Sequence, residues 1–266
     1  MVFNRRRFLV AAASAALPAA SSLGREPNEP PKRHVVSISF DDGFKKSFLR
    51  TAELYEQHGF YGCFNVIASA HLPSFKSPDK WIGGSPLGDF TLWNELKSRG
   101  HEVMPHGYKH TNLKHIPHQK AVDLIQRCLD FFSQNLLGFQ AKKCVFNFPY
   151  NGCTPELEQW LRGRVQALRR SGPPINPLPH EDSFCLTCKG YNPDHCEQAL
   201  DSQIEQLLSR DSGWLIFNAH GLDGEGWGPM RSDYLGRLLG RLKTNDSVDV
   251  MPVHQAFVKY AGNPAS

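Results

Sequence analysis

The sequence predicts an α/β protein whose parallel strands close into a barrel, and two observations carry that prediction. Short apolar, β-branched runs alternate with amphipathic stretches from about residue 34 to residue 260. Strands that alternate with helices imply a parallel sheet. Polar residues fall just after at least four of the strands, at Asp41-Asp42, His106, Tyr150 and His220. An open doubly wound sheet gathers such residues near one switch point. Four separate strand ends fit a barrel better, because all the ends then meet at one mouth.

Taken in order, His34 to Phe40 is a β-branched, apolar strand. Lys46 to His58 follows as a helix with Phe48, Ala52 and Tyr55 on one face. Tyr61 to Ile67 is the second strand, and Leu72 to Gly88, rich in Pro, Gly and Ser, is a long loop. Thr91 to Ser98 is helical and stops at Gly100, a C-terminal cap signal. His101 to Met104 is a brief strand, His118 to Leu137 a helix ending at Gly138, and Cys144 to Phe148 a strand. Pro155 to Arg162 is a short helix, and Ser171 to Pro179 a Pro-rich loop. A strand at Phe184 to Thr187 and a helix at Asp194 to Ser209 lead to the buried strand Trp214 to Ala219. Helix Tyr234 to Leu242, strand Val248 to Pro252 and helix Val253 to Tyr260 complete the chain.

The first residues read as targeting rather than fold. Arg5-Arg6-Arg7 precedes an Ala-rich apolar stretch, Leu9 to Ala20, which is shorter than the ~20 strongly apolar residues of a stable anchor. Residues 1–24 are therefore expected to be a signal peptide, with the arginine pair before Phe8-Leu9 resembling a twin-arginine signal. Residues 25–33 are a Pro-containing linker, and 34–262 one domain. Export to the periplasm or the medium follows, with no stable membrane anchor once the signal is removed. A net charge of +4, with no basic run interleaved with aromatics, argues against a nucleic-acid partner. The seven cysteines are odd in number, so at least one stays free unless chains are linked. Cys185 and Cys188 with Cys196 nearby form the one local cluster. As a zinc site it has only the adjacent His195 for a fourth ligand; a disulfide or buried thiols is the simpler reading.

Chemistry concentrates in three places. Asp41 and Asp42 end an apolar strand just before Gly43, which allows a sharp turn. Neighbouring strand residues point to opposite sides, so one carboxylate can bind a metal while the other faces the attacking water. His106 and His110, four apart, place two imidazoles on one side of a helical turn, a common way to supply two metal nitrogens. Two His and one Asp leave a coordination position open, as a hydrolytic metal requires. His220 ends a core strand ahead of Gly221 and is a candidate general acid.

Together these segments resemble the polysaccharide deacetylase family, whose shared unit is the NodB-homology domain. Ser39-Phe40-Asp41-Asp42-Gly43 matches the family's Thr/Ser-Phe-Asp-Asp-Gly motif. Gly100 to His110 looks like its metal-binding His-x-x-x-His segment, Phe148-Pro149-Tyr150 like its Arg-x-Pro-Tyr motif, and Leu215 to His220 like its catalytic-histidine strand. The resemblance runs from about Val35 to Tyr260. It implies a distorted (β/α) barrel with about seven parallel strands. It assigns Asp41 as general base, Asp42, His106 and His110 as ligands of one divalent metal, and His220 as general acid. It places the Tyr150 backbone N–H at the oxyanion. The metal is expected to be Zn²⁺, and Co²⁺ and Ni²⁺ accept the same donors. The implied activity is removal of N-acetyl groups from an N-acetylglucosamine-type carbohydrate. An O-acetyl ester hydrolase acting on xylan or another glycan, and a non-catalytic glycan-binding module, are the alternatives.

Two departures from the family pattern are visible. Asn147 stands where the family has the Arg that pairs with the base. The base is then expected to titrate higher, unless a residue of another loop, such as Arg169 or Lys189, supplies the charge. The family's Asp-Trp motif has no clear match, and Asp182 lies in about the right region.

Overall fold

A computed structural model describes residues 34–77 and 79–262. The signal-peptide and linker expectations lie outside the described residues. In chain order the elements are β1 (His34–Phe40), α1 (Lys45–Gln57), β2 (Cys63–Val66), α2 (Lys80–Gly83), α3 (Phe90–Ser98), β3 (Glu102–Pro105), α4 (His118–Asn135), β4 (Val145–Asn147), α5 (Pro155–Leu161), β5 (Ala167–Ser171), β6 (Ile175–Asn176), β7 (Cys185–Cys188), α6 (Cys196–Leu208), β8 (Gly213–Ala219), α7 (Ser232–Lys243), β9 (Val248–Val250) and α8 (Val253–Tyr260).

The fold is mixed α/β with mostly parallel strands, the distorted (β/α) barrel that the sequence predicts. One sheet runs β3-β2-β1-β8-β6, with β9 pairing β1, and the other runs β4-β5-β7. Only β6 pairs antiparallel among these ladders. The ladder is longest between β1 and β8, from His34 opposite Gly213 to Phe40 opposite Ala219. An isolated bridge between Lys189 and Phe217 ties the end of β7 to β8.

Period-two alternation explains how the barrel is filled. Every residue of β1 is buried, as expected of a central parallel strand covered on both faces. Val36, Ile38 and Phe40 join the large cluster beneath the helices. Val35 instead belongs to a second cluster with Cys63, Val145, Ala167, Leu186, Cys188, Trp214 and Ile216. These residues come from β1, β2, β4, β5, β7 and β8, so strands of both sheets share one interior. Val253, Ala256 and Phe257 of α8 join the same cluster. The Glu102 carboxylate caps the start of α8 by accepting from the His254 N–H at 2.7 Å.

Moving toward the C-terminal ends of the strands, the inward positions become polar: Ser39, Asn65, Asn147, Arg169 and Asn218, all buried. Buried polar groups persist only when paired, and these pair with one another. Asn65 Nδ2 donates to Ser39 Oγ, and Asn147 Nδ2 donates to Asn65 Oδ1 at 2.8 Å. Arg169 donates to Ser39 Oγ at 2.8 Å. The barrel is therefore apolar at one end and a hydrogen-bonded polar layer at the other, directly beneath the strand ends that carry the candidate residues.

All seven cysteines are free thiols, five of them buried. Cys185 and Cys188 do not converge on a shared ligand. Cys185 Sγ donates to Glu158 Oε2 at 3.4 Å, while Cys188 Sγ donates to Asn151 Oδ1 at 3.2 Å. Among the described residues, no helix is long and apolar enough to cross a membrane.

Candidate metal and acyl-transfer site

The cleft at the C-terminal ends of the strands is a cavity of about 270 Å³, lined in part by Asp41, Asp42, His106, His110, Tyr150 and His220. The six residues to which the sequence gives catalytic or metal-binding roles thus meet at one place.

Asp41 continues the β1 ladder, its N–H donating to Ala219 O at 2.9 Å. The chain then turns sharply. Asp42 has φ 81° and Gly43 φ 98°. A non-glycine residue in this region carries strain of about 1–3 kcal/mol, and the turn separates the two carboxylates. Asp41 accepts from Asn65 Nδ2 at 2.7 Å, Asn218 Nδ2 at 2.7 Å and Arg169 Nη1 at 2.9 Å, with Arg169 Nη2 on its second oxygen. Asp42 is buried too, yet neither of its carboxylate oxygens has a hydrogen-bond partner. The side-chain Nε2 atoms of His110 and His106 lie 3.3 and 3.5 Å from Asp42 Oδ1.

The tautomers of the two imidazoles follow from their other nitrogens. His106 Nδ1 meets the Asn147 carbonyl at 3.0 Å, and His110 Nδ1 meets Asp79 Oδ2 at 2.8 Å. Both partners only accept, so both Nδ1 atoms carry the proton. In the neutral rings each Nε2 then presents a lone pair toward Asp42. Burial pulls His106 down to about 4, so it is neutral at ordinary pH. Burial also pulls His110 down, but Asp42 and Asp79 outweigh it and raise the group. One ligand atom from each of Asp42, His106 and His110 lies within 4.8 Å of the others. Neutral His106 turns a lone pair toward the unpaired Asp42 carboxylate, and that arrangement repels unless a cation, either a metal ion or a protonated His110, stands beside it. This donor set is the one that the described residues offer for a divalent ion.

The structure corrects the sequence on how the two histidines meet. They are not on a helical turn. His106 follows β3, and His110 has φ 53° in an irregular loop. Gly107, at φ 76°, makes the bend possible, and a Cβ there would come within 2.8 Å of Pro149 Cγ. The spacing of four works because the loop doubles back against Pro149.

The second correction concerns Asn147. It does not touch Asp41 but reaches it through Asn65. Arg169, on β5, supplies the charge instead and grips Asp41 with both terminal nitrogens. Burial raises the Asp41 carboxyl, but Arg169 and His106 outweigh it and hold Asp41 well below the usual carboxylate range. Of the two expected outcomes, a base that titrates higher or a charge supplied by another residue, the structure shows the second, with Arg169 as that residue. Lys189 is exposed and plays no such part.

His220 follows β8 and is half-buried in the cleft wall. Asp182 is not its partner. It is an exposed turn residue preceding β7, whereas the cleft meets the chain after β7, at Gly190. The N-terminal end of a parallel strand faces the opposite mouth of the barrel. Tyr150 has φ 56° and Asn151 φ 53°, two consecutive left-handed residues. The Tyr150 ring lies 4.7 Å from that of His110, and its hydroxyl donates to Asp79 Oδ2. Asp79, Asn65, Asn218, Trp81 and Trp227 are site residues that the sequence did not single out. For Asn65 and Asn218 a signal existed, since each is an amide inside an apolar strand.

The strand ends of a mostly parallel barrel thus bring an Asp-His-His cluster beside an arginine-held carboxylate. The chain belongs to the polysaccharide deacetylase family, whose model matches residues 28–162, about half of its length. A search of curated proteins finds no match. Among solved structures, a protein from Mycobacterium smegmatis assigned to the polysaccharide deacetylases is similar at 13% identity and TM-score 0.62, covering 93% of each chain. A peptidoglycan deacetylase from Bacillus subtilis is similar at 14% identity and TM-score 0.52, over 85% of this chain and 91% of that one. A domain of a multidomain xylanase from the hindgut metagenome of Trinervitermes trinervoides matches at 15% identity and TM-score 0.54, over 85% and 90%. At these identities the likeness is one of fold.

Proposed function

We propose that this protein is a metal-dependent hydrolase that removes N-acetyl groups from a carbohydrate of the N-acetylglucosamine type, cleaving a carbon–nitrogen bond that is not a peptide bond. The observation that carries the reading is Asp42, a buried carboxylate with both oxygens unpartnered, facing two imidazole nitrogens. Asp42, His106 and His110 would hold one divalent ion, Zn²⁺ first, with Co²⁺ and Ni²⁺ suited to the same donors. When bound, such an ion polarises the acetyl carbonyl and brings the pKa of water to about 7 in well-studied cases. Asp41 takes the proton of the attacking water. Its hydrogen bonds from Arg169, Asn65 and Asn218 fix the carboxylate and keep it ionised. The Tyr150 N–H helps to hold the oxyanion. His220 gives a proton to the departing nitrogen, which an amide needs because an amide anion is a very poor leaving group. Export belongs to the same proposal, with residues 1–24 as signal, 25–33 as linker and 34–262 as the catalytic domain.

Side-by-side assays of acetate release from N-acetylglucosamine oligomers and from acetylxylan test the reading. Release from the oligomers, abolished by His220→Ala, is expected. Release from acetylxylan alone would replace the amide substrate by an ester, and release from neither would leave a glycan-binding module.

A further inference from the structure

Two loops flank the end of β1, and both are fastened to the residues that follow Asp41 and Asp42. On the β2 side, Gly88 N donates to Gly43 O and Lys45 N to Pro86 O, each at 3.0 Å, while Phe44 and Leu87 form a bridge. On the β8 side, Glu225 Oε2 accepts from the Ser47 N–H at 2.9 Å and from Ser47 Oγ at 2.7 Å. Leu222 N donates to Ser47 Oγ at 2.9 Å, and Gly226 packs against the Phe44 ring. The tips of these loops meet. The Trp81 and Trp227 ring centroids are 5.2 Å apart, and both rings line the catalytic cleft.

The rim continues beyond this pair. Trp227 Nε1 donates to the Tyr191 carbonyl in the loop after β7, at 3.4 Å. On the other side, Asp79 joins the β2 loop to Tyr150 after β4 through the tyrosine hydroxyl. A long glycan lying through the site needs a groove open at two ends. Here two indoles in contact, on loops anchored at both flanks, stand across the side over β1. The cavity, about 270 Å³, falls just below the ~300–1,000 Å³ usual for drug-sized ligands. The base of the cleft has room for a sugar ring. Trp227 and Tyr150 each remain 41% exposed, so both leave apolar ring surface at the cleft. Such surface stacks on the apolar C–H face of a pyranose.

We propose that Trp81 and Trp227 form a specificity-determining wall, and that the site takes the acetylated sugar at a chain terminus and excludes the internal residues of an oligosaccharide or longer glycan. The proposal rests on the deacetylase reading above. Its test maps the position of acetyl loss on an N-acetylglucosamine hexamer by mass spectrometry, for the metal-loaded wild type and for Trp227→Ala and Trp81→Ala/Trp227→Ala. The wild type is expected to deacetylate a terminal residue. Opening the wall is expected to raise the ratio of internal to terminal release by about 10-fold or more, the scale on which pocket shape discriminates. Internal release by the wild type at a rate equal to terminal release would overturn the wall and leave the deacetylase reading intact. So would an unchanged ratio in both variants, provided that they fold and keep terminal activity. Release from neither hexamer nor monomer would overturn the amide reading and the wall with it. The wild-type map decides the matter even if the double variant does not fold.

Discussion

Asp41→Asn should lower the rate of acetate release by roughly 10²–10⁴, the usual contribution of a general base, while the protein keeps its metal. The amide has the shape of the carboxylate but accepts no proton. It also turns an NH₂ toward donors that now converge on Asp41: Asn65, Asn218 and both terminal nitrogens of Arg169. Arg169 is fully buried, so the variant leaves a guanidinium without its counter-charge. Removing one partner of a buried ion pair costs about 3–5 kcal/mol, and urea denaturation should register a loss on that scale. Rate, denaturation midpoint and metal content measured on one preparation separate the roles. If Asp41→Asn emptied the metal site, the assignments of Asp41 and Asp42 would be reversed.

Arg169→Gln should move the acidic limb of the pH–rate profile upward, by roughly 1–3 units for the loss of an adjacent opposite charge. Burial is the largest influence on Asp41 and raises its carboxyl; Arg169 is the largest influence opposing it. Without the guanidinium the base protonates at higher pH, so activity is lost earlier as the solution is acidified. Stability follows the same sign. A carboxyl depressed in the folded state contributes stability above its unfolded pKa, and that stability disappears as pH falls through the folded value. The variant should therefore also be less stable at neutral pH and show a flatter acid dependence. Arg169→Lys retains charge without the two-pronged geometry and should fall between the two. An unshifted limb in Arg169→Gln would mean that Asp41 does not set it.

The contrast between Arg169 and the other site residues shows what the sequence makes legible. Asp41, Asp42, Tyr150 and His220 each follow a strand whose apolar run is plain, so strand and site announce one another. Arg169 sits in Ala167–Ser171, where two consecutive arginines break the apolar pattern, and no strand is expected there. Its inward position is set by the register of β5 beside β4, which pairs Asn147 with Arg169. A charge adjacent in space to the position the family gives to Arg is thus supplied from the neighbouring strand. Helix α4 was legible for the opposite reason: its buried positions, Ala121, Val122, Ile125, Cys128, Leu129 and Phe132, keep helical spacing throughout. Asp79 and Trp227 were not, because loops carry no periodicity, and Trp81 lies in α2, a single turn too short to show any. Their meaning depends on which loops the barrel brings together. The His106–His110 spacing led to the right pair through the wrong local geometry, since a loop with a left-handed His110 reproduces what a helical turn would have done.

The central claim is that Asp42, His106 and His110 hold the ion on which hydrolysis depends, and elemental analysis paired with activity tests it most directly. The purified protein is expected to contain one divalent ion per chain, to lose activity when a chelator strips it and to recover when Zn²⁺ is returned. Asp42→Asn, His106→Ala and His110→Ala should each fail to retain the ion at concentrations where Asp41→Asn retains it. Full hydrolytic activity in a sample shown to be metal-free would contradict the account.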